Sequence, residues 1–481
     1  MVILRRALGL GLLLLCGGCA SAPTSKSQPI APRVDRVAFL HANVLPMDTE
    51  RVLSDQTVVV EGRTIVALGP SAQVKVPAGA RRIDARGRYL LPALCDMHVH
   101  LLGQAWNQAL PPAEQYAGPE LPQASFLFPY LASGVTTVQS LAATPEEITL
   151  RGRIEHGELL GPRLILAPLI DGPKKAWPPP ISTWVATPAE ARAAVLRAKE
   201  AGFDKIKVYS FLDKDSYDAI VAAAKEVHMD VIGHVPMSLS VEYVLDSGQK
   251  MIAHTEEILK HTHGDFSPER IDYYADLLAK RGVWIIPTLV TTHIFIDFFA
   301  DPNSPYAGPE AAYFAHPLQR ELWSFLAKNL YGPIPEAGRN SIREGFEKFQ
   351  RPLTKALRDK GAKMMIGSDA LMLGVHAGVS LHGELRELVG VGLTPYEALR
   401  TSTTTPFEYL GESDRAGTIA VGRQSDLLLV DENPLADITA ASKIAGVLVR
   451  GRWIARDEID RRMREIAASY AVPGTAAPKG R

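Results

Sequence analysis

The sequence is short of cysteine. Of its three cysteines, Cys16 and Cys19 lie within the first twenty residues and only Cys95 falls in the body. That excludes a disulfide framework, so stability has to come from packing or bound metal. An excess of charge is missing as well: lysine plus arginine number 52 against 53 for aspartate plus glutamate, a net charge of −1 at pH 7. No block of like charge offers a nucleic acid a grip. No repeat of solenoid period recurs. With 46% apolar and 22% charged residues among 481, disorder and fibrous architectures are excluded too. A chain of this length holds about three domains, or one large barrel with a companion.

What is present begins with an export signal over residues 1–19. Met1-Val-Ile-Leu-Arg-Arg-Ala is basic, the run Leu8 to Leu15 is apolar, and Cys16-Gly-Gly-Cys19-Ala-Ser is small. The apolar run is well short of the roughly 20 residues that cross a bilayer. The small residues before Cys19 resemble a bacterial lipobox, which makes Cys19 the lipidation site and the new N-terminus. The expected location is then the bacterial cell envelope, lipid-anchored at a periplasmic or outer-membrane face. Cys16 stands where such a motif usually has Leu, and plain secretion is the other reading. Residues 20–33, rich in Ser, Pro and Ala, read as a flexible tether.

Residues 34–91 are short and extended, with Val37-Ala-Phe-Leu, Thr57-Val-Val-Val and Thr64-Ile-Val-Ala-Leu between turn residues. Residues 411–481 repeat the style in Gly417-Thr-Ile-Ala, Ser425-Asp-Leu-Leu-Leu-Val and Ile444-Ala-Gly-Val-Leu-Val, before a terminal helix. The two ends are expected to form one small β-sandwich. Between them, over 92–410, apolar strand-like runs alternate with helix-period stretches such as Pro188 to Ala201 and Asp215 to Val227. The strand-like runs number about eight, the count of an α/β protein of the (β/α)8 TIM-barrel type.

The chemistry lies where those runs end. His98 and His100 are two apart, so on a strand both imidazoles face one side and can reach one ion. His234, His254 and Asp369 each terminate a different run, and strand ends converge at the C-terminal mouth of a barrel. Lys207, between Ile206 and Val208, needs a partner or a chemical change if it faces the core. His261-Thr-His263 sits in a polar stretch without strand pattern and reads as loop, and His228 as a helix-end residue. His293, His376 and His382 are open between pocket and surface. Tyr209 shares the face of Lys207 and is open between substrate contact and core capping. The segment 291–352 is longer than a βα connection needs and carries Phe295, Phe298, Phe299, Tyr306, Tyr313, Phe314, Trp323 and Tyr331. It is either a lid over the barrel mouth or ordinary helix packing.

These residues resemble the amidohydrolase superfamily, in its imidazolonepropionase-like and prolidase-like branch of metal-dependent hydrolases. The resemblance rests on Leu91-Pro-Ala-Leu-Cys-Asp-Met-His98-Val-His100, Gly202-Phe-Asp-Lys-Ile-Lys207-Val-Tyr, Val231-Ile-Gly-His234, Ile252-Ala-His254, Ile286-Pro-Thr-Leu, Ile366-Gly-Ser-Asp369 and Gly417-Thr-Ile-Ala-Val-Gly-Arg-Gln-Ser-Asp-Leu. It implies a barrel with a sandwich built from both chain ends, and a site of two divalent metal ions, for which zinc suits the ligand types best. By the resemblance His98, His100 and Asp369 hold one ion and His234 and His254 the other. Lys207, carboxylated by carbon dioxide to a carbamate, bridges them. His382 resembles a substrate-side position of the family, with Tyr209 and His293 as further substrate-binding candidates.

The implied reaction is hydrolysis of an amide or peptide-like C–N bond by a metal-bridging hydroxide, with Asp369 passing the proton to the leaving nitrogen. The expected substrate is a small dipeptide or N-acyl compound with an apolar group. An ester or lactone would satisfy the same machinery. A mononuclear deaminase is the alternative enzyme, although deaminases of this superfamily generally lack the bridging lysine. A surface scaffold that has lost catalysis would be expected to lose ligands, and all six positions are filled. Homo-oligomerisation is left open.

Overall fold

The computed structural model describes residues 36–118, 122–173, 177–307 and 315–470. The signal, the tether, Cys16, Cys19, Tyr313 and Phe314 lie outside the described residues. Among the described residues no helix is long and apolar enough to cross a membrane.

The chain is α/β. Its middle carries parallel strands at Leu94–Val99, Val135–Ser140, Arg163–Leu166 with Leu169–Asp171, Lys205–Val208, Asp230–Gly233, Met251–Ala253, Trp284–Ile286 and Lys363–Met364. The stretch from Arg163 to Asp171 pairs with Val135–Ser140 through its first half and with Lys205–Val208 through its second, joining two sheets into one succession. The last strand meets the first: Met97 N–H donates to the Ile366 carbonyl at 3.0 Å, and Val99 bridges Ala370 in parallel. This closed order of eight staves matches a (β/α)8 barrel.

Apolar residues of these strands point both ways, because the barrel interior and the helical ring each need burial. Met251, Ala253, Trp284 and Ile286 join Cys95 and Met97 in one buried cluster, while Ile252 and Ile285 face a second, larger one. Ile206 and Val208 belong to that larger cluster, which leaves Lys207 on the interior face. The helices start where capping chemistry allows. Thr187 accepts from Glu190 N–H ahead of Pro188–Ala201, and Asp213 accepts from Ser216 N–H ahead of Lys214–Glu226.

Both chain ends share one hydrogen-bonded sheet in the order Arg452–Ala455, Ile444–Val449, Leu427–Val430, Tyr89–Pro92, Arg36–Val44, Leu53–Glu61, Thr64–Pro70, with Arg81–Asp84 also on Arg36–Val44. In a flat sheet the first and fifth of these would lie about 19 Å apart. Phe39 and Trp453, on those two strands, instead meet edge to face at 5.1 Å. The sheet therefore curls over an apolar core that includes Val58, Leu90 and Leu429. The expected strand at Gly417-Thr-Ile-Ala is not formed. Ile419 is buried there and its N–H donates to the Pro46 carbonyl, so the segment is a crossing loop rather than a ladder.

Candidate metal centre

The strand Leu94–Val99 ends at His98 and His100, and the loop after Lys363–Met364 delivers Asp369 against them. Gly367 makes this possible, since a Cβ there would lie 2.6 Å from that of His98. Asp369 N–H donates to the His98 carbonyl at 2.8 Å, and Asp369 Oδ1 lies 3.2 Å from His98 Nε2 and 3.1 Å from His100 Nε2. Ring centroids place His254 4.6 Å from His98 and His234 5.1 Å from His254. Lys207 Nζ is 3.5 Å from His98 Nε2. Gly233, at φ 120°, leaves room for this lysine, because a Cβ would meet the Val208 carbonyl at 2.4 Å and Lys207 Cγ at 2.9 Å. Thus all six residues singled out in the sequence come together at the strand ends.

The imidazoles are presented as neutral donors. Burial, aided by the Lys207 charge and by neighbouring rings, holds His98 and His234 well below the ordinary histidine range and His100 below it. Burial takes His254 down to about 3. Hydrogen bonds select the tautomers of two of them. Thr288 Oγ1 donates to the Pro287 carbonyl at 2.8 Å, so at 2.6 Å it accepts from His254 Nδ1–H and leaves Nε2 unprotonated. His234 Nδ1 is 3.0 Å from Glu257 Oε1 and 3.1 Å from Ser210 Oγ, while its Nε2 is buried without a partner among the described residues.

Asp369 Oδ1 is likewise buried and, beyond the two imidazole nitrogens beside it, has no partner among the described residues, and one ligand atom each of His98, His254 and Asp369 lie within 4.8 Å of one another. Orphaned nitrogens and a carboxylate oxygen converging in this way fit a divalent cation with N and O ligands. Backbone strain gathers at the same place. His254, Thr288 and Asp369 have φ of 70°, 52° and 58°, and for the β-branched Thr288 that is a costly conformation held by its surroundings.

Lys207 is 1% exposed, and among the described residues no carboxylate pairs with it within 4.0 Å. Burial pushes its amine down to about 8, against the opposing pull of Asp369 and Glu257. Lys205, two residues earlier on the same strand, shows the ordinary solution, an ion pair with Asp230 at 2.6 Å.

A cavity of about 870 Å3 opens over the cluster. His234, His254 and Asp369 form part of its wall, with Tyr209, Phe295 and Tyr331 among its aromatic lining. Tyr209 stacks on His234 at 4.0 Å and its hydroxyl accepts from Trp177 Nε1 at 3.3 Å. The segment 291–352 divides its aromatics. Phe295 and Tyr331 pack together at 4.4 Å on the cavity wall, whereas Trp323 is fully buried, donating to the Leu371 carbonyl at 3.0 Å, and Phe298 is buried with it in the core.

Two substrate candidates lie elsewhere. On the helix Leu289–Ala300, Thr291, Thr292 and Phe295 face the cavity at helical spacing. His293 falls off that face and its Nδ1 meets Glu387 Oε1 at 2.5 Å, half exposed. His382 is buried with Nε2 2.9 Å from the Ser133 carbonyl, closing the end of the helix Ala124–Ala132. His376 packs on Trp323 at 5.0 Å, outside the cavity wall. His261 and His263 lie in a turn, with His263 on the cavity wall, and His228 follows the end of Lys214–Glu226.

Sequence reasoning missed the groups that hold the six in place. Glu257, three residues after His254, is fully buried and also accepts from Val235 N–H at 3.1 Å. Asp96, two before His98, accepts from Ser368 Oγ at 2.5 Å and Ser368 N–H at 3.0 Å, tying the first strand to the Asp369 loop. Burial raises the Asp96 carboxyl to about 7. Asp96 and Thr288 lie inside the motifs that drew attention to the site, so a search for carboxylates and hydroxyls flanking each ligand would have found them.

With this geometry in view, the comparisons define the class. The profile of the amidohydrolase family matches residues 89–454, and the chain belongs to that family. An imidazolonepropionase of Arthrobacter sp. (strain FB24) is 45% identical over 62 residues, which is 13% of this chain and 15% of that protein. Among solved structures, a Xaa-Pro dipeptidase with methionine bound in its active site superposes with a TM-score of 0.65 at 22% identity, covering 88% of this chain and 100% of that one. A bottromycin amidohydrolase superposes with a TM-score of 0.69 at 22% identity, covering 93% of this chain and 95% of that one. A prolidase complexed with N-methylphosphonate-L-proline gives 0.65 at 23%, covering 88% and 100%. At these identities the structural likeness is one of fold.

Proposed function

We propose that this protein is a binuclear metal-dependent hydrolase of amide bonds in peptide-like or N-acyl compounds that carry an apolar group. The observation that carries the proposal is the convergence of His98, His100, Lys207, His234, His254 and Asp369 in one cluster, three of which, His234, His254 and Asp369, open onto an aromatic-lined cavity. His98, His100 and Asp369 would hold one divalent ion, most simply zinc, and His234 and His254 the other, with Lys207 as a carbamate between them. Such ions, when bound, lower the pKa of water from 15.7 to about 7 and polarise a carbonyl.

The chain's own groups do the rest. The Asp369 carboxylate takes a proton from the attacking water and hands it to the leaving nitrogen, a base turned acid. Tyr209, at the edge of the cluster, orients a substrate oxygen. Phe295 and Tyr331 receive the apolar group and keep water from the reacting bond.

The test is a metal assay on purified protein joined to a hydrolysis screen of dipeptides, N-acyl amino acids and lactones. About two divalent ions per chain with amide cleavage is the expected result. One ion with deamination, or none with no turnover, would overturn the proposal. The sequence at 1–19 further supports a lipid anchor on Cys19 facing the bacterial envelope. Labelling cells with a fatty-acid analogue is expected to tag the wild type and not Cys19→Ser, and tagging of both would refute it.

A further inference from the structure

The wall of the cavity carries a lopsided distribution of charge. Lys260 is the only lysine or arginine among the described residues that line it, and Glu256 lines it too. Lys260 Nζ is already committed, 2.5 Å from Glu257 Oε1 and 3.2 Å from Glu256 Oε1. Two carboxylates thus share one ammonium, and among the described residues lining the wall outside the histidine–aspartate cluster the one further basic side chain is the imidazole of His263. A substrate carboxylate brought there would lose its water without gaining an uncommitted lysine or arginine, and such burial is costly.

A neutral donor is available instead. Gln350 is 2% exposed and lies on the cavity wall. Its Oε1 accepts from the Thr292 hydroxyl at 3.3 Å and the Thr255 hydroxyl at 3.4 Å, and its amide nitrogen has no hydrogen-bond partner among the described residues. Gln350 ends a π-helical turn, Phe346–Gln350, and Tyr331 ends another, Ala327–Tyr331. Such turns are rare and tend to mark functional positions, and here both finish on the cavity wall.

We infer that the cavity takes an uncharged, carbonyl-capped amide, its apolar group against Phe295 and Tyr331 and a carbonyl oxygen received by the Gln350 amide, and that it turns away ligands bearing a free carboxylate. The inference deepens the proposed hydrolase activity and rests on it for its biological meaning, while its test reads binding.

Calorimetry on the metal-replete protein would compare N-acetylphenylalanine amide with N-acetylphenylalanine. The wild type is expected to bind the amide at least about tenfold more tightly, a difference of about 1.4 kcal/mol. Glu256→Gln should bring the ratio below about threefold by relieving the negative wall, and Gln350→Met should weaken the amide about tenfold. Gln350→Glu, which keeps an acceptor for the two threonines but removes the donor, checks the same point if the methionine variant unfolds early. Equal or tighter binding of the acid by wild type, or a ratio that neither position moves, overturns the inference. A binding preference without cleavage of either probe would count against the hydrolase assignment alone. Cleavage of both at equal kcat/KM would overturn the preference alone.

Discussion

The Asp369→Asn variant is expected to fold as the parent does while turnover falls by about a hundredfold to ten-thousandfold, the range associated with loss of a positioned acid–base group. The position is chosen for its backbone as much as for its chemistry. Asp369 sits at φ 58°, in the left-handed region that Asn adopts more readily than other non-glycine residues. Its N–H bond to the His98 carbonyl and the Ser368–Asp96 pair are main-chain and neighbouring contacts that the substitution leaves alone. Thermal unfolding should therefore change little while kcat collapses. Near wild-type turnover in a folded Asp369→Asn protein would remove this residue from the mechanism.

Lys207→Ala is expected to cost at least about a hundredfold in activity and to be partly restored by small carboxylic acids such as formate or acetate. The structure explains why the loss should be large and why the rescue should be chemical. The amine is buried among His98, the Tyr209 ring and the other imidazoles with no carboxylate among the described residues paired to it. On the proposed reading, carbon dioxide converts this buried amine to an anion. Truncation opens space for a free carboxylate at the same spot. The measurement is kcat against added acid, with mass spectrometry of the wild type for the carboxylated lysine. Two ions bound to a wild type whose lysine is unmodified would refute the bridging role.

The cluster of histidines, lysine and aspartate was legible in the sequence because strand geometry makes it so. Two imidazoles at i and i+2 share a face, and a histidine or aspartate that closes an apolar run falls at a barrel mouth. His98, His100, His234, His254 and Asp369 carry such local signatures, and Lys207 announces itself as a charge between Ile206 and Val208. What surrounds them carries less. Gln350 reaches the site through a helical insertion far along the chain, and nothing in its neighbours distinguishes it from a solvent-facing glutamine. His293 and His382 mislead for the opposite reason. They lie near the right segments, but a helix turns consecutive residues by about 100°, and that rotation carries one toward Glu387 and the other toward the Ser133 carbonyl. The crossing loop at Gly417 reads as a strand because burial of Ile419 leaves the same apolar mark whether or not a ladder forms.

The shared sheet of the two chain ends dictates an order of events during synthesis. Tyr89–Pro92 pairs with Leu427–Val430 and, one residue later, becomes the strand that carries His98 and His100. Until the last part of the chain has left the ribosome, Tyr89–Pro92 has an unmatched edge just ahead of the strand that carries His98. Completion of the sheet beside the barrel is therefore a late, high-contact-order step, slow compared with helix formation and exposed to off-pathway association while it waits. A nascent chain stopped anywhere before Leu427 would hold all six residues of the cluster and still lack the strand that pairs with Tyr89–Pro92.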